Sequence, residues 1–389
     1  MKIIQVHNWH RYGGGSDAVV EATTSLLRER GHEALLFTRD SGKLGRGLSG
    51  RMKAFVCGIY SPSGRSAMRK LLREHKPDIV HVHELYPFIS PWALVECKRA
   101  GVPVVMTCHD YRLSCPVALH WHNATPCLSC KRGRDYWCVL KNCRGNLFES
   151  TGYALRSTVA RKLRLFQGNV TRYITPSAFV KALMIEVGFS DETIDVVPNM
   201  VTLPEADGDP SQGRYVAYVG RIAPEKGVET LVESAQMTGL PVQLAGDHTP
   251  MPDVLKESPP NVTFVGHLHG KDLSSFYHNA RFLVIPSVSW EPFGLVIVEA
   301  MAQGLPVIAS RTGGIPELVD DGVTGLLFEP GNEEDLSGKM RWLWEHNRVS
   351  RQMGLAGREK AVREYSDDVY SQRLLAVYET SIRHGATIA

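Results

Sequence analysis

The stretch Trp290-Glu291-Pro292-Phe293-Gly294-Leu295-Val296-Ile297-Val298-Glu299-Ala300-Met301-Ala302-Gln303-Gly304-Leu305-Pro306 decides the fold. It follows Phe282-Leu283-Val284-Ile285-Pro286-Ser287, an apolar run stopped by proline that reads as a buried strand, and it leads into a helical pattern. Glu291 is therefore expected in the loop at a strand's carboxyl end, with Gly294-Leu295 at a helix start. Open α/β sheets bind ligands at that place. The first N–H groups of such a helix lack partners within it and carry the positive end of its dipole, so they suit a phosphate or can orient hydroxyl groups. Glu299 follows on nearly the same face of the helix, at ~3.6 residues per turn. An isolated glutamate is usually a solvated side chain. Glu299, embedded in Leu295-Val296-Ile297-Val298 and Ala300-Met301-Ala302, needs a partner if it is buried.

The 389 residues are enough for two or three domains and two sizeable cores. Charged residues at 22% and hydrophobic ones at 43% are ordinary for a globular chain. The net charge of +3 hides an asymmetry: residues 1–200 carry +12, from 28 Lys and Arg against 16 Asp and Glu, and residues 201–389 carry −9. A basic half suits anionic lipid, an anionic acceptor or nucleic acid, with scattered surface charge as the plain alternative. No apolar run approaches the ~18–20 residues of a membrane span. Met1-Lys2-Ile3-Ile4-Gln5-Val6-His7 reads as a short strand rather than a signal peptide, so an intracellular, cytoplasmic protein is expected.

Five of the eight cysteines, Cys115, Cys127, Cys130, Cys138 and Cys143, crowd into one stretch. In a reducing compartment such clustering favours metal. Cys127-Leu-Ser-Cys130 suits one Zn²⁺, with Cys138 and Cys143, or Cys115, completing a tetrahedron. Reduced or disulfide-paired cysteines are the alternative. Cys57, Cys97 and Cys108 read as small core residues.

In chain order, strand Ile3–Val6, the glycine-rich turn Tyr12-Gly13-Gly14-Gly15-Ser16, a helix from Ala18 to Arg30 and strand Ala34–Thr38 form a βαβ opening. The turn lets backbone approach a ligand at a helix amino terminus, although a glycine run alone is a weak signal. Residues 41–64 read as a basic loop. Strands follow at Pro77–His83 and Pro103–Thr107, the latter ending in Cys108-His109-Asp110-Tyr111. A lone histidine is more often structural than functional, but this one sits at a strand's carboxyl end. A cysteine-rich insert at 112–146, a helix, a strand and turn at 173–177, a helix and strand 194–199 complete a first domain of residues 1–200. Residues 201–213 read as a linker of turn formers and acids; its Asp207-Gly208-Asp209 reads as a polar turn.

A second set of βα units begins at Arg214. Its strands, at 215–219, 241–245, 262–265, 282–285 and 306–309, carry Arg221, Lys226, Gly246, His267, Glu291 and Gly313-Gly314 at their carboxyl ends. Arg221 and Lys226 within one loop suit a diphosphate, the first as a planar fork and the second as a mobile point charge. Residues 333–386 read as largely helical.

The ordered segments Val219-Gly220-Arg221-Ile222-Ala223-Pro224-Glu225-Lys226-Gly227, Pro286-Ser287 with Glu291-Pro292-Phe293-Gly294-Leu295 to Glu299-Ala300-Met301-Ala302, and Gly304-Leu305-Pro306-Val307 with Gly313-Gly314 resemble the retaining glycosyltransferases of family 4. The resemblance covers nearly the whole chain and is strongest over 214–330. It implies an α/β fold of two Rossmann-like, doubly wound domains facing across a cleft, the GT-B architecture. The acceptor domain would be 1–200, the donor domain 214–365, and 366–389 a helical tail packing back on the first domain. It implies that Arg221 and Lys226 hold the donor's diphosphate and stabilise the departing phosphate. Glu299 would bind ribose hydroxyls, and Glu291 the donor sugar, beside the amides of Phe293, Gly294 and Leu295. The base would lie near Gly246, His267 and Leu268. Gly14 and Gly15 would approach the diphosphate or acceptor, and His109 the transferred sugar and acceptor. The implied partners are a nucleotide-diphosphate sugar (UDP or GDP) and a glycan or lipid-linked acceptor, with an anionic membrane surface at the inner face as a docking place for the basic half and no nucleic acid. Catalysis would need no cofactor or divalent ion, and any zinc would be structural. The rival readings are a non-catalytic nucleotide-sugar-binding scaffold and a dinucleotide-dependent dehydrogenase; the missing G-x-G-x-x-G argues against the latter.

Overall fold

The computed structural model describes residues 1–9, 14–43, 48–204, 209–252 and 258–388. Tyr12 and Gly13 of the glycine-rich turn, part of the basic loop and Asp207-Gly208 of the linker lie outside the described residues. The chain divides into two compact units. One comprises Met1–His120, Leu128–Pro198 and Ser371–Ala389; the other comprises Trp121–Cys127 and Asn199–Tyr370.

Up to Pro198 the elements are β1 (Lys2–Trp9), α1 (Gly15–Glu29), β2 (Glu33–Asp40), α2 (Leu48–Ile59), α3 (Pro62–His75), β3 (Ile79–Val82), α4 (Trp92–Arg99), β4 (Val104–Thr107), the hairpin strands β5 (Trp121–His122) and β6 (Thr125–Pro126), α5 (Tyr136–Leu140), α6 (Leu147–Lys162), β7 (Arg172–Thr175), α7 (Ala178–Glu186) and β8 (Ile194–Val196). The first unit's sheet is parallel throughout, in the order β2-β1-β3-β4-β7-β8. Ile3, Ile4, Val6, Ile79, Val80, Val82, Val104 and Val105 are all buried. Strands buried on both faces need helical cover on each, which parallel crossovers supply. The strand order reverses between β1 and β3.

The helix α2 occupies part of the stretch 41–64 that reads as a loop. Its Gly, Ser and Arg content dilutes the apolar period, and tertiary packing supplies the stability instead. Phe55 stacks on Phe148 of α6, with ring centroids 5.3 Å apart. Gly152 lies beneath Phe55, where a Cβ would come within 2.5 Å of the ring.

The second unit contains β9 (Tyr215–Val219), α8 (Val228–Thr238), β10 (Val242–Ala245), β11 (Val262–Gly266), α9 (Gly270–His278), β12 (Ala280–Ile285), α10 (Leu295–Ala302), β13 (Val307–Ser310), α11 (Ile315–Leu318), β14 (Gly325–Phe328), α12 (Glu333–Glu345) and α13 (Asn347–Tyr365). Its parallel sheet runs β11-β10-β9-β12-β13-β14, so the order reverses between β9 and β12. Alternate residues point to opposite faces of a strand. Val216, Tyr218, Phe282 and Val284 accordingly pack in one core with α8 and α12, while Ala217, Leu283 and Ile285 pack in another with α10 and Tyr365. Each large apolar side chain so buried contributes about 1.5–3 kcal/mol. Strand β14 is an addition to the sequence reading; its four residues follow the turn formers Asp320-Asp321-Gly322 and are too few to show a period.

The last helix, α14 (Asp367–Ile388), passes at Ser371 from the second unit's residues to the first unit's. Its Tyr378 is buried against β1 and β3, bonded to Gln5 and His81.

Candidate functional site

In the second unit the candidate residues lie on loops at the carboxyl edge of one parallel sheet, concentrated at the β9/β12 reversal. The turn after β9 carries Arg221 and Lys226. Gly227 closes it with φ of +65°, and a Cβ there would meet the Pro286 carbonyl oxygen at 2.0 Å. Only glycine therefore lets this loop lie on the one after β12. Backbone bonds complete the join: the N–H groups of Val288 and Ser289 both donate to the Glu225 carbonyl, at 3.2 and 3.1 Å.

The join brings together two residues 65 positions apart. The Lys226 ammonium donates to Glu291 Oε1 at 2.6 Å, and the Ser287 hydroxyl donates to the same oxygen at 2.6 Å. Burial alone would push the Glu291 carboxyl up; the Lys226 charge and the bonds from Lys226 and Ser287 outweigh it and hold the group below its ordinary range. Glu291 is thus a fixed carboxylate whose Oε2 is left by both donors. Its backbone is clamped too. Gly314 N–H donates to the Glu291 carbonyl at 2.7 Å, and a Cβ on Gly313, whose φ is +59°, would meet that carbonyl oxygen at 2.4 Å.

Arg221 is exposed and pairs with Glu225 of its own loop, while its carbonyl accepts from the Tyr218 hydroxyl at 2.7 Å. Gly294 precedes α10, whose first residue is Leu295. The Phe293 side chain is core, edge-on to Tyr365 at 5.9 Å, so only its backbone is available to a ligand. Four residues into α10, Glu299 has the partner its apolar setting requires: the Tyr277 hydroxyl donates to Oε2 at 2.9 Å. Burial raises the Glu299 carboxyl, and the Tyr277 bond offsets only part of that rise. Gly246 lies at the end of β10, its N–H donating to the Gly266 carbonyl at 2.9 Å. His267 is exposed after β11, its ring 4.1 Å from that of His269, and Leu268 is half-buried beside it.

His109, Gly14 and Gly15 belong to the first unit. Gly14 caps α1 in extended backbone, and its carbonyl accepts from Asp17 N–H at 3.0 Å. Asp17 bonds His7 Nε2 at 2.7 Å, and the His7 ring meets that of His83, whose Nδ1 lies 2.9 Å from His109 Nε2. The start of α1 and the end of β4 are linked through these side chains. The neighbouring Asp110 is gripped by Arg112 through its backbone N–H and its guanidinium. The sequence reading gave no role of their own to Ser287 or Tyr277, nor to Gln5, His7, Asp17, His81, His83 and Tyr378. Polar residues at alternate positions of apolar strands, Gln5 and His7 on β1 with His81 and His83 at β3, are the signal that marks part of this set.

In the insert, Cys130 and Cys138 share a small core with Ala154, and Cys143 packs against it. Burial raises the Cys138 thiol, and the neighbouring Cys143, Cys130 and Cys115 add to the rise. Cys115 thus joins this group, whereas Cys127 is half-buried outside that small core. Thiols are suitable zinc donors, but among the described residues no three His, Cys, Asp or Glu side chains are placed to hold a metal ion.

Two doubly wound parallel units, the second with a cationic loop set against a carboxylate at its strand-order reversal, define a protein of the GT-B class. Solved structures match that fold over almost the whole chain. A sucrose-phosphate synthase from Thermosynechococcus elongatus has a TM-score of 0.72 at 19% identity, covering 98% of this chain and 99% of that one. The Anabaena protein Alr3699/HepE in complex with UDP-glucose has a TM-score of 0.66 at 19% identity, covering 98% and 100%. The family models Glycosyltransferase Family 4 and Glycosyl transferases group 1 match residues 13–204 and 202–360. The chain belongs to glycosyltransferase family 4. A sulfoquinovosyl transferase of Arabidopsis thaliana is 31% identical over 361 residues, 86% of this chain and 64% of that longer protein. A phosphatidyl-myo-inositol mannosyltransferase of Mycobacterium leprae is 25% identical over 346 residues, 85% of this chain and 80% of that one.

Proposed function

We propose that the chain moves a sugar from a UDP- or GDP-linked donor to a glycan or lipid-linked acceptor, with retention of anomeric configuration and without a divalent ion. The observation that carries this reading is the Lys226–Glu291 pair, 2.6 Å apart at the β9/β12 reversal and beside the start of α10. Arg221 and Lys226 would take the diphosphate. Glu291 Oε2, left by both Lys226 and Ser287, would accept from hydroxyls of the sugar, and Glu299 from the ribose. As the bond from the anomeric carbon to the diphosphate breaks, negative charge grows on the leaving oxygen, where the two cations stabilise it. The acceptor hydroxyl then attacks from the face the phosphate has left, and its proton passes to the phosphate oxygen. The relative named for phosphatidyl-myo-inositol and the fold relative holding UDP-glucose support a lipid acceptor and a UDP donor.

A panel of UDP- and GDP-sugars, with a lipid-linked or glycan acceptor and EDTA present, tests the reading, the product anomer being read by NMR. Transfer with retention is expected. Inversion of the anomeric centre, or turnover only with added Mg²⁺, would contradict it.

The membrane reading finds support in the first unit. Exposed Met52 and Val56 on α2 and Leu147, Phe148 and Leu155 on α6 lie on two helices that pack together, with Lys53 and Arg144 exposed nearby in sequence. No helix among the described residues is long and apolar enough to cross a membrane. Sedimentation with anionic but not neutral liposomes at low salt is expected, and no sedimentation with either removes the reading. Structural zinc in the insert is a separate proposal, supported by the closeness of Cys130, Cys143 and Cys115 to Cys138 and opposed by the lack of three donors placed for a metal among the described residues. Elemental analysis of protein purified without added metal should give about one zinc per chain; a metal-free, fully folded chain would dismiss it.

A further inference from the structure

Five hydrogen bonds run in series through the interior of the first unit, ending at His109. The His81 Nε2 lies 2.7 Å from Thr107 Oγ1, and its Nδ1 lies 2.6 Å from the Tyr378 hydroxyl. The Gln5 amide nitrogen donates to that hydroxyl at 3.2 Å, and its oxygen lies 2.7 Å from His83 Nε2. Finally His83 Nδ1 lies 2.9 Å from His109 Nε2. Gln5, His81, His83 and Tyr378 are fully buried. Residues from β1, β3, β4 and the returning α14 therefore converge on one side chain.

An amide oxygen only accepts, so His83 Nε2 must carry a proton. Burial, and then the neighbouring His81, His109 and His7, hold the His83 imidazole neutral by driving its pKa far down. With its one proton on Nε2, His83 has only a lone pair on Nδ1. The bond to His109 then forms only if His109 Nε2 donates. We infer that Gln5 and His83, anchored by Tyr378, are positioning residues that fix His109 as the Nε2–H tautomer and make Nδ1 its accepting nitrogen. This inference rests on the placement of His109 beside the transferred sugar and acceptor, which the family resemblance implies and the proposed reaction adopts. On that reading His109 accepts a hydrogen bond from a sugar or acceptor hydroxyl rather than donating one. Which nitrogen of a histidine carries the proton is commonly set by the bond its other nitrogen makes.

The alternative is equally definite. With the Gln5 amide turned round, its NH₂ would donate to His83, all five bonds would reverse, and His109 would carry its proton on Nδ1. Long-range ¹H–¹⁵N correlation of the full chain labelled with ¹⁵N-histidine separates the two, the His109 signals being assigned by their loss in His109→Gln. The expected pattern is a protonated Nε2 and an unprotonated Nδ1. The opposite pattern overturns the inference.

Gln5→Leu should give mixed His109 tautomers and lower kcat by roughly tenfold to a hundredfold, as when other orienting partners of a site histidine are lost, with donor KM nearly unchanged. Gln5→Glu keeps an accepting oxygen toward His83 and should restore both the NMR pattern and most of kcat. A Gln5→Leu chain with an unaltered His109 pattern refutes the coupling. Where Gln5→Leu does not fold, Tyr378→Phe keeps the packing while removing the amide's anchor, and it should show the same mixing; its unaltered pattern refutes the coupling as well. If the tautomer is as inferred but His109→Ala turns over normally, the placement of His109 fails and the tautomer assignment stands.

Discussion

In the second unit a lysine and a glutamate meet 2.6 Å apart where the strand order reverses between β9 and β12. At the corresponding reversal of the first unit, between β1 and β3, stand imidazoles, an amide and a phenol. Both places are where an open parallel sheet positions ligands. Their chemistry divides along the demands of the proposed reaction. On the proposed reaction a diphosphate brings charge, which the second unit's cations, held in place by carboxylates, would meet. The first unit instead buries its histidines, with His81 pushed down to about 3 by burial and then by His109, so that they serve as neutral donors and acceptors. On this reading charge tunes one site, and the placement of protons tunes the other.

Removing the charged partners should have the largest effect. Lys226→Ala and Glu291→Ala should each cut turnover by about a hundredfold or more, the scale of losing a preorganised charge-stabilising group, with circular dichroism unchanged. Normal turnover in either would erase the distinction between the units. A smaller effect separates the two carboxylates of the second unit. Glu299 is raised, so it takes up its proton before Glu291 as pH falls, and nucleotide affinity should drop through that window while Glu291 stays ionised. Titration calorimetry across mildly acidic pH reads this; Glu299→Gln should bind about tenfold more weakly, as for a lost bond to a charged group, with the pH limb gone. A limb that persists in Glu299→Gln assigns it to another group. Salt sharpens the contrast further: raising ionic strength should weaken nucleotide binding through Arg221, which is exposed, while leaving the His109 tautomer, set by the buried Gln5 and His83, unmoved. Least of all, Tyr277→Phe should weaken nucleotide affinity only a few-fold, by removing one bond to Glu299, and should move the pH limb upward because that bond favours the charged form. A downward shift would show that the bond acts otherwise.

The same contrast explains what the sequence reveals. Arg221, Lys226, Glu291 and Glu299 come from short loops and helix starts that follow apolar runs, so local pattern places them at one sheet edge. The parallel sheets and the strand-terminal position of His109 were legible for the same reason. The network behind His109 was not. Gln5, His83, Thr107 and Tyr378 are distant in sequence and meet only because β1, β3 and β4 are neighbours and α14 returns to them. Strand order, which no single segment encodes, makes that site. The α2 helix is hard to read for a related reason: its own apolar period is weak, and its Phe55 packs on Phe148 of a segment far along the chain. Ser287 was visible in the chain, but its bond to Glu291 depends on the curl of a loop whose geometry rests on Gly227 and Gly313.

The central claim is that the second unit holds a nucleoside diphosphate by the cations facing Glu291. Calorimetric titration of UDP, GDP and ADP, each with and without Mg²⁺, into the wild-type chain and Lys226→Ala tests it most directly. The account predicts that UDP or GDP binds without the metal and that the substitution weakens this binding by about tenfold or more, the scale of a charge-assisted contact. Binding of none of the three, or equal binding by the variant, would contradict it.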